Sequence, residues 1–350
     1  MKRTKVATVA AVLLTGAISL AGASSASADF APQTRDVVGV GSDTIQYALN
    51  YAADGVKIGA TFSPGYNSSA NARLVSFNAL NPSVPTSDAN IHDTITLKSG
   101  TTPIVRPDGS GAGKALLFGA TNNTAVDFAR SSSALSAAEV TASLKAYPFG
   151  LDKLAIAVSA QATNAPAAIS LAQVVSIYSG AVTNWNQIGG SAGVIVPMIP
   201  QAGSGTRSFF EAQLKAANGG TAVVLGSSVV AVQEHDPSVF TASPNAVAPF
   251  SIGRAGFANA TGLVRIETGT ASDGGTSFLA SRAVYNVVRG TDASKAYVSN
   301  VFGSDGFLCS SSATGLIKAA GLDQLASPID GGACGTQVST TAAVTNFTIN

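Results

Sequence analysis

The feature that most constrains the fold of this chain is a local pattern that occurs three times. A short apolar run leads into a turn of glycine with serine or threonine, and a helix-like segment follows. The turns are residues 41–44 (GSDT), 109–111 (GSG) and 203–206 (GSGT). Strands that alternate with helices are typical of α/β proteins with largely parallel sheets. The sequence therefore predicts an α/β fold.

The individual elements are predicted from apolar runs, helical spacing and turn residues. Strands are expected at residues 37–41, 73–77, 104–105, 125–130 and 194–200, and helices at 45–53, 114–119, 170–178, 208–217 and 314–320. Serine or aspartate at residues 42–43 predicts a side-chain N-cap for the first helix. Residues 179–190, which hold the only tryptophan, are expected to form a compact loop.

Length and composition set the general class of protein. The 350 residues are enough for about two domains. Hydrophobic residues make up 46% and charged residues only 11%, against roughly 25% charged in typical globular domains. This composition excludes general disorder. Because 20 Lys and Arg balance 19 Asp and Glu, the chain lacks the basic field of a nucleic-acid-binding protein.

The N-terminal segment has the three parts of a secretory signal. Cationic residues at positions 2, 3 and 5 precede a mainly apolar run at 6–20, and small residues end in Ala26-Ser27-Ala28. The run is too short and too interrupted for a membrane span. We expect residues 1–28 to be removed by cleavage after Ala28, which leaves a mature protein free in the extracellular space or the periplasm.

The two cysteines fit an oxidising compartment. Cys309 and Cys334 lie 25 residues apart among glycines and serines. In an exported protein such a pair is expected to close a structural disulfide. Because no cysteine lies near the cleavage site, no lipid anchor is expected there.

The glycine turns have the chemistry of an anion site. The first N–H groups of a helix have no intrahelical partner, and the helix dipole places partial positive charge there. Glycine lets a ligand approach the backbone, and hydroxyls add donors. Together they bind oxyanions without lysines. Arg130 and Arg207 stand at adjoining element ends, although a solvated helix arginine is an equal interpretation of Arg207.

Signals for catalysis are weaker. The turns match neither the nucleophile elbow nor the phosphate loop of nucleotide-binding enzymes. The only histidines are His92 and His235, so a histidine-rich metal site is excluded. Residues 234–236 (EHD) offer a general base or a metal ligand, but a lone histidine between acids is more often structural. We predict no catalytic residue, no metal and no cofactor.

A longer motif resembles a known family. Residues 203–207 (GSGTR), preceded by 177–190 (IYSGAVTNWNQIGG), resemble the periplasmic phosphate-binding proteins of ABC phosphate importers. Residues 39–44, 108–111 and 127–132 resemble the other anion-contacting segments of that family, in the same order. The resemblance covers residues 37–290. It implies two α/β lobes, each a mostly parallel sheet flanked by helices, joined by two crossover segments and closing on a dehydrated oxyanion.

The resemblance also implies lobe limits and contact residues. Lobe 1 is expected at 29–150 and 256–350, and lobe 2 at 151–255, with crossovers near 148–158 and 247–256. The predicted ligand-binding residues combine the positions that match the family's contacts with further residues in or beside the glycine turns. They are Ser42, Asp43, Thr44, Ser110, Gly111, Arg130, Ser132, Ser204, Gly205, Thr206 and Arg207.

Three departures from the family pattern bear on the ligand. Ser132 stands where the family has an aspartate that accepts the proton of hydrogen phosphate, and Pro200 stands where it has an arginine. The lipid-anchored cysteine of exported Gram-positive members is missing. Asp43 is a candidate for the missing acceptor, which would reject fully ionised sulfate. Arg130 and Arg207 are candidates for the missing cation.

The leading hypothesis from these observations is an exported monomeric protein that captures inorganic phosphate or a similar oxyanion without catalysis. Its expected partner is the membrane component of an ABC importer. A phosphoesterase that uses the same pocket is an alternative. A scavenging or surface-interaction protein with an altered pocket is another, favoured by Ser132 and Pro200.

Overall fold

The computed structural model describes residues 31–81, 93–259, 262–325 and 333–345. Its mixture of strands and helices confirms the predicted α/β class. The predicted secretory signal, residues 1–28, lies outside the described residues. Within the described part of the chain, the helices are too short or too polar to cross a bilayer.

Ten of the strands form one sheet in the order β10-β9-β11-β8-β13-β7-β1-β4, with β12 and β14 also paired to β8. The other four form two small hairpins. The strands are β1 (Val37–Gly41), β2 (Val56–Ile58), β3 (Thr61–Ser63), β4 (Leu74–Ser76), β5 (Thr94–Ile95), β6 (Ile104–Val105), β7 (Phe128–Ser131), β8 (Lys145–Ser159), β9 (Val196–Pro200), β10 (Val230–Val232), β11 (Ala246–Ser251), β12 (Val264–Ile266), β13 (Leu279–Val288) and β14 (Asp323–Gln324).

The helices cover the faces of this sheet and are mostly short. They are α1 (Gln46–Asp54), α2 (Ser110–Ala115), α3 (Ala137–Thr141), α4 (Leu171–Tyr178), α5 (Gly205–Ala217), α6 (Ser238–Ala242), α7 (Ile252–Asn259) and α8 (Ser311–Ala319). Capping boxes at Ser136 and Ser170 begin α3 and α4. The single tryptophan, Trp185, is fully buried at the start of a short 3-10 turn.

Strand β1 shows why the first apolar run is a central strand. It lies between β4 and β7, parallel to both, and all five of its residues are buried. Strands covered on both faces are expected to be continuously apolar. A Cβ on Gly39 would lie 2.0 Å from the Phe128 ring, so glycine is required for β7 to pack beside β1.

Two long strands connect two regions of the chain that have separate hydrophobic cores. The first core contains buried residues from 37–151 and 283–334, whereas the other two clusters draw only on residues 154–278. We call these regions lobe 1 and lobe 2. Strands β8 and β13 are antiparallel and pass from one lobe to the other. The sheet is therefore continuous between the lobes.

The return to lobe 1 comes later in the chain than the expected residue 256. Ala255 and Ala258 of α7 pack in a lobe 2 cluster, as does Val264 of β12. The core changes on β13, between Phe278 and Ala283. The physical reason is that β12 pairs with the lobe 2 half of β8 before the chain turns back.

The first helix differs from its prediction at the N-terminus. The N-cap position of α1 is Ile45, with no side-chain hydrogen bond to the helix. The side chains of Asp43 and Thr44 instead point to other partners, described below. The expected helix start at residue 208 is also late, because α5 begins at Gly205 with Ser204 as its N-cap.

The Cys309–Cys334 disulfide is present, with the two Cα atoms 5.6 Å apart. Cys309 precedes α8, and the segment after Cys334 lies along β8. The Gly335 N–H donates to the carbonyl of Pro148 at 2.7 Å, and Val338 pairs with Ala146. The disulfide therefore holds the C-terminal segment against the long strand.

We expect Cys309→Ala and Cys334→Ala together to lower the free energy of unfolding by about 3 kcal/mol, because a 25-residue loop is released in the unfolded chain. Urea denaturation followed by circular dichroism measures this. Wild type under reducing conditions is the control and should lose a similar amount. An unchanged midpoint in the double variant would contradict the prediction.

Candidate oxyanion site between the lobes

The glycine and serine turns meet where the lobes face each other. Strands β1 and β7 are parallel neighbours, so the residues that follow them lie at the same edge of the sheet. Ser42 and Ser132 come from these two ends. Thr206, at the start of α5, comes from lobe 2. In open α/β sheets this edge is the usual place for a ligand.

Five buried hydroxyls form one cluster, four from lobe 1 and one from lobe 2. The Ser132 Oγ lies 3.2 Å from the Ser42 Oγ and 3.3 Å from the Ser110 Oγ. The Thr44 Oγ1 lies 3.4 Å from the Ser132 Oγ and 3.2 Å from the Thr206 Oγ1. Each of these residues is at most 2% exposed. The structure thus brings together most of the predicted hydroxyl residues.

Glycine is needed for this close approach of the lobes. A Cβ on Gly205 would lie 2.4 Å from the Oγ atoms of both Ser110 and Ser132. The Gly111 N–H donates to the carbonyl of Gly203 at 2.9 Å, which is a direct backbone bond between the lobes. Ser204 acts as a helix cap, because its Oγ accepts from the N–H of Arg207 at 3.1 Å.

A carboxylate lies at the centre of the hydroxyl cluster. Glu234 Oε1 accepts hydrogen bonds from the hydroxyls of Thr44, at 2.6 Å, and Thr206, at 2.5 Å. The His235 Nε2 lies 3.3 Å away. Burial alone would raise the pKa of Glu234, but hydrogen bonds from the His235 ring and the two threonines hold it well below its usual value. The sequence had left the role of this acidic run open.

His235 has an unusual backbone conformation directly after Glu234. His235 has a φ of 58°, in the left-handed region that residues other than glycine rarely adopt. Its ring meets Phe250 edge-on at 4.9 Å, and its Nδ1 lies 3.5 Å from the N–H of Ser251. Asp236 takes no part in the site, because its carboxylate bonds Ser238.

The two predicted arginines have other partners. The Arg130 guanidinium is fully buried and donates to the carbonyls of Gly41 and Ser42 and to the Ser76 hydroxyl. Burial lowers the pKa of Arg130 to about 9. The Arg207 side chain turns outward to Glu211, 2.8 Å away. Arg130 therefore supports the first turn from behind, and Arg207 lies on the helix surface.

Two arginines that the sequence did not indicate lie at the site, one on a hydroxyl of the cluster and one on Asp43. The Arg282 Nη2 donates to the Thr206 hydroxyl at 2.7 Å, and its Nε donates to Asp152 at 2.9 Å. The Arg254 Nη2 donates to Asp43 Oδ1 at 3.0 Å. Its guanidinium carbon lies 4.5 Å from the centre of the Tyr47 ring. Arg254 lies in α7 and Arg282 in β13, and neither residue belongs to a glycine and serine turn of the kind used to predict the site. Only the fold brings them to it.

The Asp43 side chain is occupied by this ion pair. Both of its carboxylate oxygens lie within hydrogen-bond distance of the Arg254 Nη2. Burial raises the pKa of Asp43, against the lowering effect of the Arg254 charge. The pair crosses between the lobes, because Asp43 lies between Val40 and Ile45 of the lobe 1 core and Arg254 lies in α7 of lobe 2.

A second carboxylate joins the lobes beside the site. Asp108 accepts hydrogen bonds from the side-chain amides of Gln201, at 2.9 Å, and Gln233, at 3.4 Å. Burial, and then the negative charges of Asp43 and Glu234, raise the pKa of Asp108 to about 7. In spite of these acids, no group of three metal-ligating side chains suited to a metal ion occurs in the described residues.

Solved structures share this architecture at low sequence identity. An ABC-type phosphate transport receptor from Vibrio cholerae matches with a TM-score of 0.51 and 19% identity, over 83% of this chain and 99% of the receptor. A putative phosphate ABC transporter substrate-binding protein from Clostridium perfringens, with bound phosphate, matches with a TM-score of 0.55 and 17% identity, over 83% and 99%. The high-affinity periplasmic phosphate-binding protein PfluDING matches with a TM-score of 0.53 and 17% identity, over 83% of this chain and 91% of PfluDING.

The fold implied by the sequence resemblance is therefore confirmed as a two-lobed α/β architecture. No curated protein matches the chain. A family model described as the PBP superfamily domain matches residues 85–337, which is well over half of the sequence. The chain belongs to the PBP superfamily.

Proposed function

We propose that this protein captures phosphate, or a similar tetrahedral oxyanion, between its lobes without catalysis. The observation that carries the proposal is that hydroxyls from both lobes donate to one negatively charged oxygen, that of Glu234. The cluster therefore has the donors that an oxyanion needs, with the Arg282 guanidinium beside them. Hydrogen bonds to a charged acceptor are the strong ones.

The similar solved structures support the phosphate ligand and suggest a partner. They are described as a phosphate transport receptor, a phosphate ABC transporter substrate-binding protein with bound phosphate, and a phosphate-binding protein bound with phosphate. By this analogy the chain acts outside the cytoplasm as a monomer, exported by the leader at residues 1–28. It delivers its ligand to the membrane component of an ABC importer.

The structure corresponds to a closed arrangement of the lobes. Closure is stabilised by the Arg254–Asp43 pair, by the bonds from Gln201 and Gln233 to Asp108, and by the Gly111 backbone bond. An anion enters and leaves such a cleft by a hinge motion of the lobes.

We expect Thr206→Val to weaken phosphate binding about 10- to 100-fold, because one donor to the bound anion is lost. Calorimetric titration of the phosphate-stripped mature protein with phosphate, and then with sulfate, measures this. Thr141→Val is the matched control, since Thr141 is exposed on α3 and its hydroxyl bonds only Ala137. Absence of binding by wild type would overturn the proposed function, and release of phosphate from phosphate esters would favour the enzyme alternative.

We expect Gly205→Ala to weaken phosphate binding by at least about tenfold, because the added Cβ would meet two serine oxygens and hold the lobes apart. Gly256→Ala is the matched control, since a Cβ at that helical position has no neighbour within 4 Å. Both variants should remain folded, and Gly256→Ala should unfold at or slightly above the wild-type urea midpoint, because alanine is favoured over glycine in a helix by up to about 1 kcal/mol. Wild-type affinity in Gly205→Ala would show that the ligand-bound lobes do not approach as closely as in this structure.

We expect Asp108 to make stability fall as pH rises from about 4 to about 7. Its pKa is about 7 in the folded chain and 3.8 without perturbation, so the folded state holds the proton that the unfolded state has released. The slope contributed is at most about 1.4 kcal/mol per pH unit. Urea unfolding at pH 5 and pH 8 tests this against Asp108→Asn, which should lose less stability over the same interval. Equal pH dependence in the two proteins would contradict it.

A further inference from the structure

Glu234 occupies the position where the proposed anion would bind. Its side chain is completely buried. One oxygen, Oε1, takes the hydroxyl bonds of Thr44 from lobe 1 and Thr206 from lobe 2. The chain thus supplies its own anion to the donors of the cleft.

The hydroxyl spacing leaves no room for a second anion among these donors. The Thr44, Thr206 and Ser132 oxygens lie 3.2–3.4 Å from their neighbours in the cluster, which is direct hydrogen-bond contact. A tetrahedral oxyanion needs its own oxygens between these hydroxyls. It can therefore enter only when the lobes separate and the carboxylate leaves.

The internal carboxylate satisfies the site incompletely. Within the part of the chain that the structure describes, Glu234 Oε2 is buried without a hydrogen-bond partner, and the same holds for the Arg282 Nη1 and the Arg254 Nε. Buried polar groups without partners are costly. An anion with four oxygens offers more acceptors than the one carboxylate oxygen in use, so it can bind donors that Glu234 leaves unpaired.

We propose that Glu234 is an internal competitor: its carboxylate takes the anion position of the closed cleft whenever no oxyanion is bound, and an incoming oxyanion must displace it. This inference rests on the proposed function for the identity of the oxyanion. Displacement lowers the apparent affinity, because the bonds of Glu234 must be broken first. Return of the carboxylate to the hydroxyls assists release of the ligand.

The first test compares phosphate titrations of wild type, Glu234→Gln and the control Glu211→Gln, whose carboxylate lies exposed on α5. Removal of the competing charge should tighten phosphate binding by about tenfold or more, equivalent to 1.4 kcal/mol. The control should match wild type. Weaker phosphate binding by Glu234→Gln would overturn the inference, since Glu234 would then belong to the ligand-bound site.

The second test uses formate as a probe and does not depend on phosphate. Glu234→Ala removes the internal carboxylate, so millimolar formate should bind in its place and raise the melting temperature of this variant. Wild type and Glu211→Ala should show no such shift. A folded Glu234→Ala without any formate response would overturn the inference. If formate stabilises Glu234→Ala but neither wild type nor the Glu234 variants bind phosphate, the inference about the internal carboxylate is supported and the proposed function is overturned.

Discussion

The pairing of β8 with β13 is the interaction on which both the fold and the site depend. The two strands are bonded along ten residues of β13 and belong to both lobes. Arg282 and Asp152 face each other in this ladder and form a buried ion pair. A buried pair is costly unless its remaining groups are hydrogen-bonded. Here Ser251 donates to Asp152 and Arg282 donates to Thr206, while the Arg282 Nη1 has no partner among the described residues. The connection between the lobes therefore also positions a cation at the hydroxyl cluster.

The donors to the Glu234 carboxylate are mainly neutral hydroxyls. Its hydroxyls come from turns after parallel strands and from the first turn of α5, and the glycines between them allow the two lobes to touch. Arg254 and Arg282 are paired with Asp43 and Asp152, so neither brings an unpaired positive charge to the cleft. This agrees with the low content of charged residues in the whole chain. Selectivity in such a site depends on the match of donors and acceptors.

Local sequence patterns predicted the parts of the molecule that depend on local physics. The β1 strand, the turn at residues 203–206 and the serine cluster are set by apolar runs and by glycine in sharp turns. Arg282 and Arg254 were missed, and Glu234 was considered only as part of an acidic run, because long-range pairing brings all three to the site. Arg130 donates to the carbonyls of the neighbouring strand end. For Arg207 the structure favours the solvated helix interpretation, because the i,i+4 carboxylate of Glu211 draws its side chain outward.

The continuous sheet has a mechanical consequence. The lobes are not joined by loose loops, so any change in the angle between them must bend or twist paired strands. The ladder is regular where the chain passes from one core to the other, and its register shift between Val284 and Tyr285, opposite Pro148, lies inside lobe 1. A change in the angle between the lobes is therefore resisted elastically by unbroken pairing on both sides of the crossing. The resting angle between the lobes is a property of strand twist.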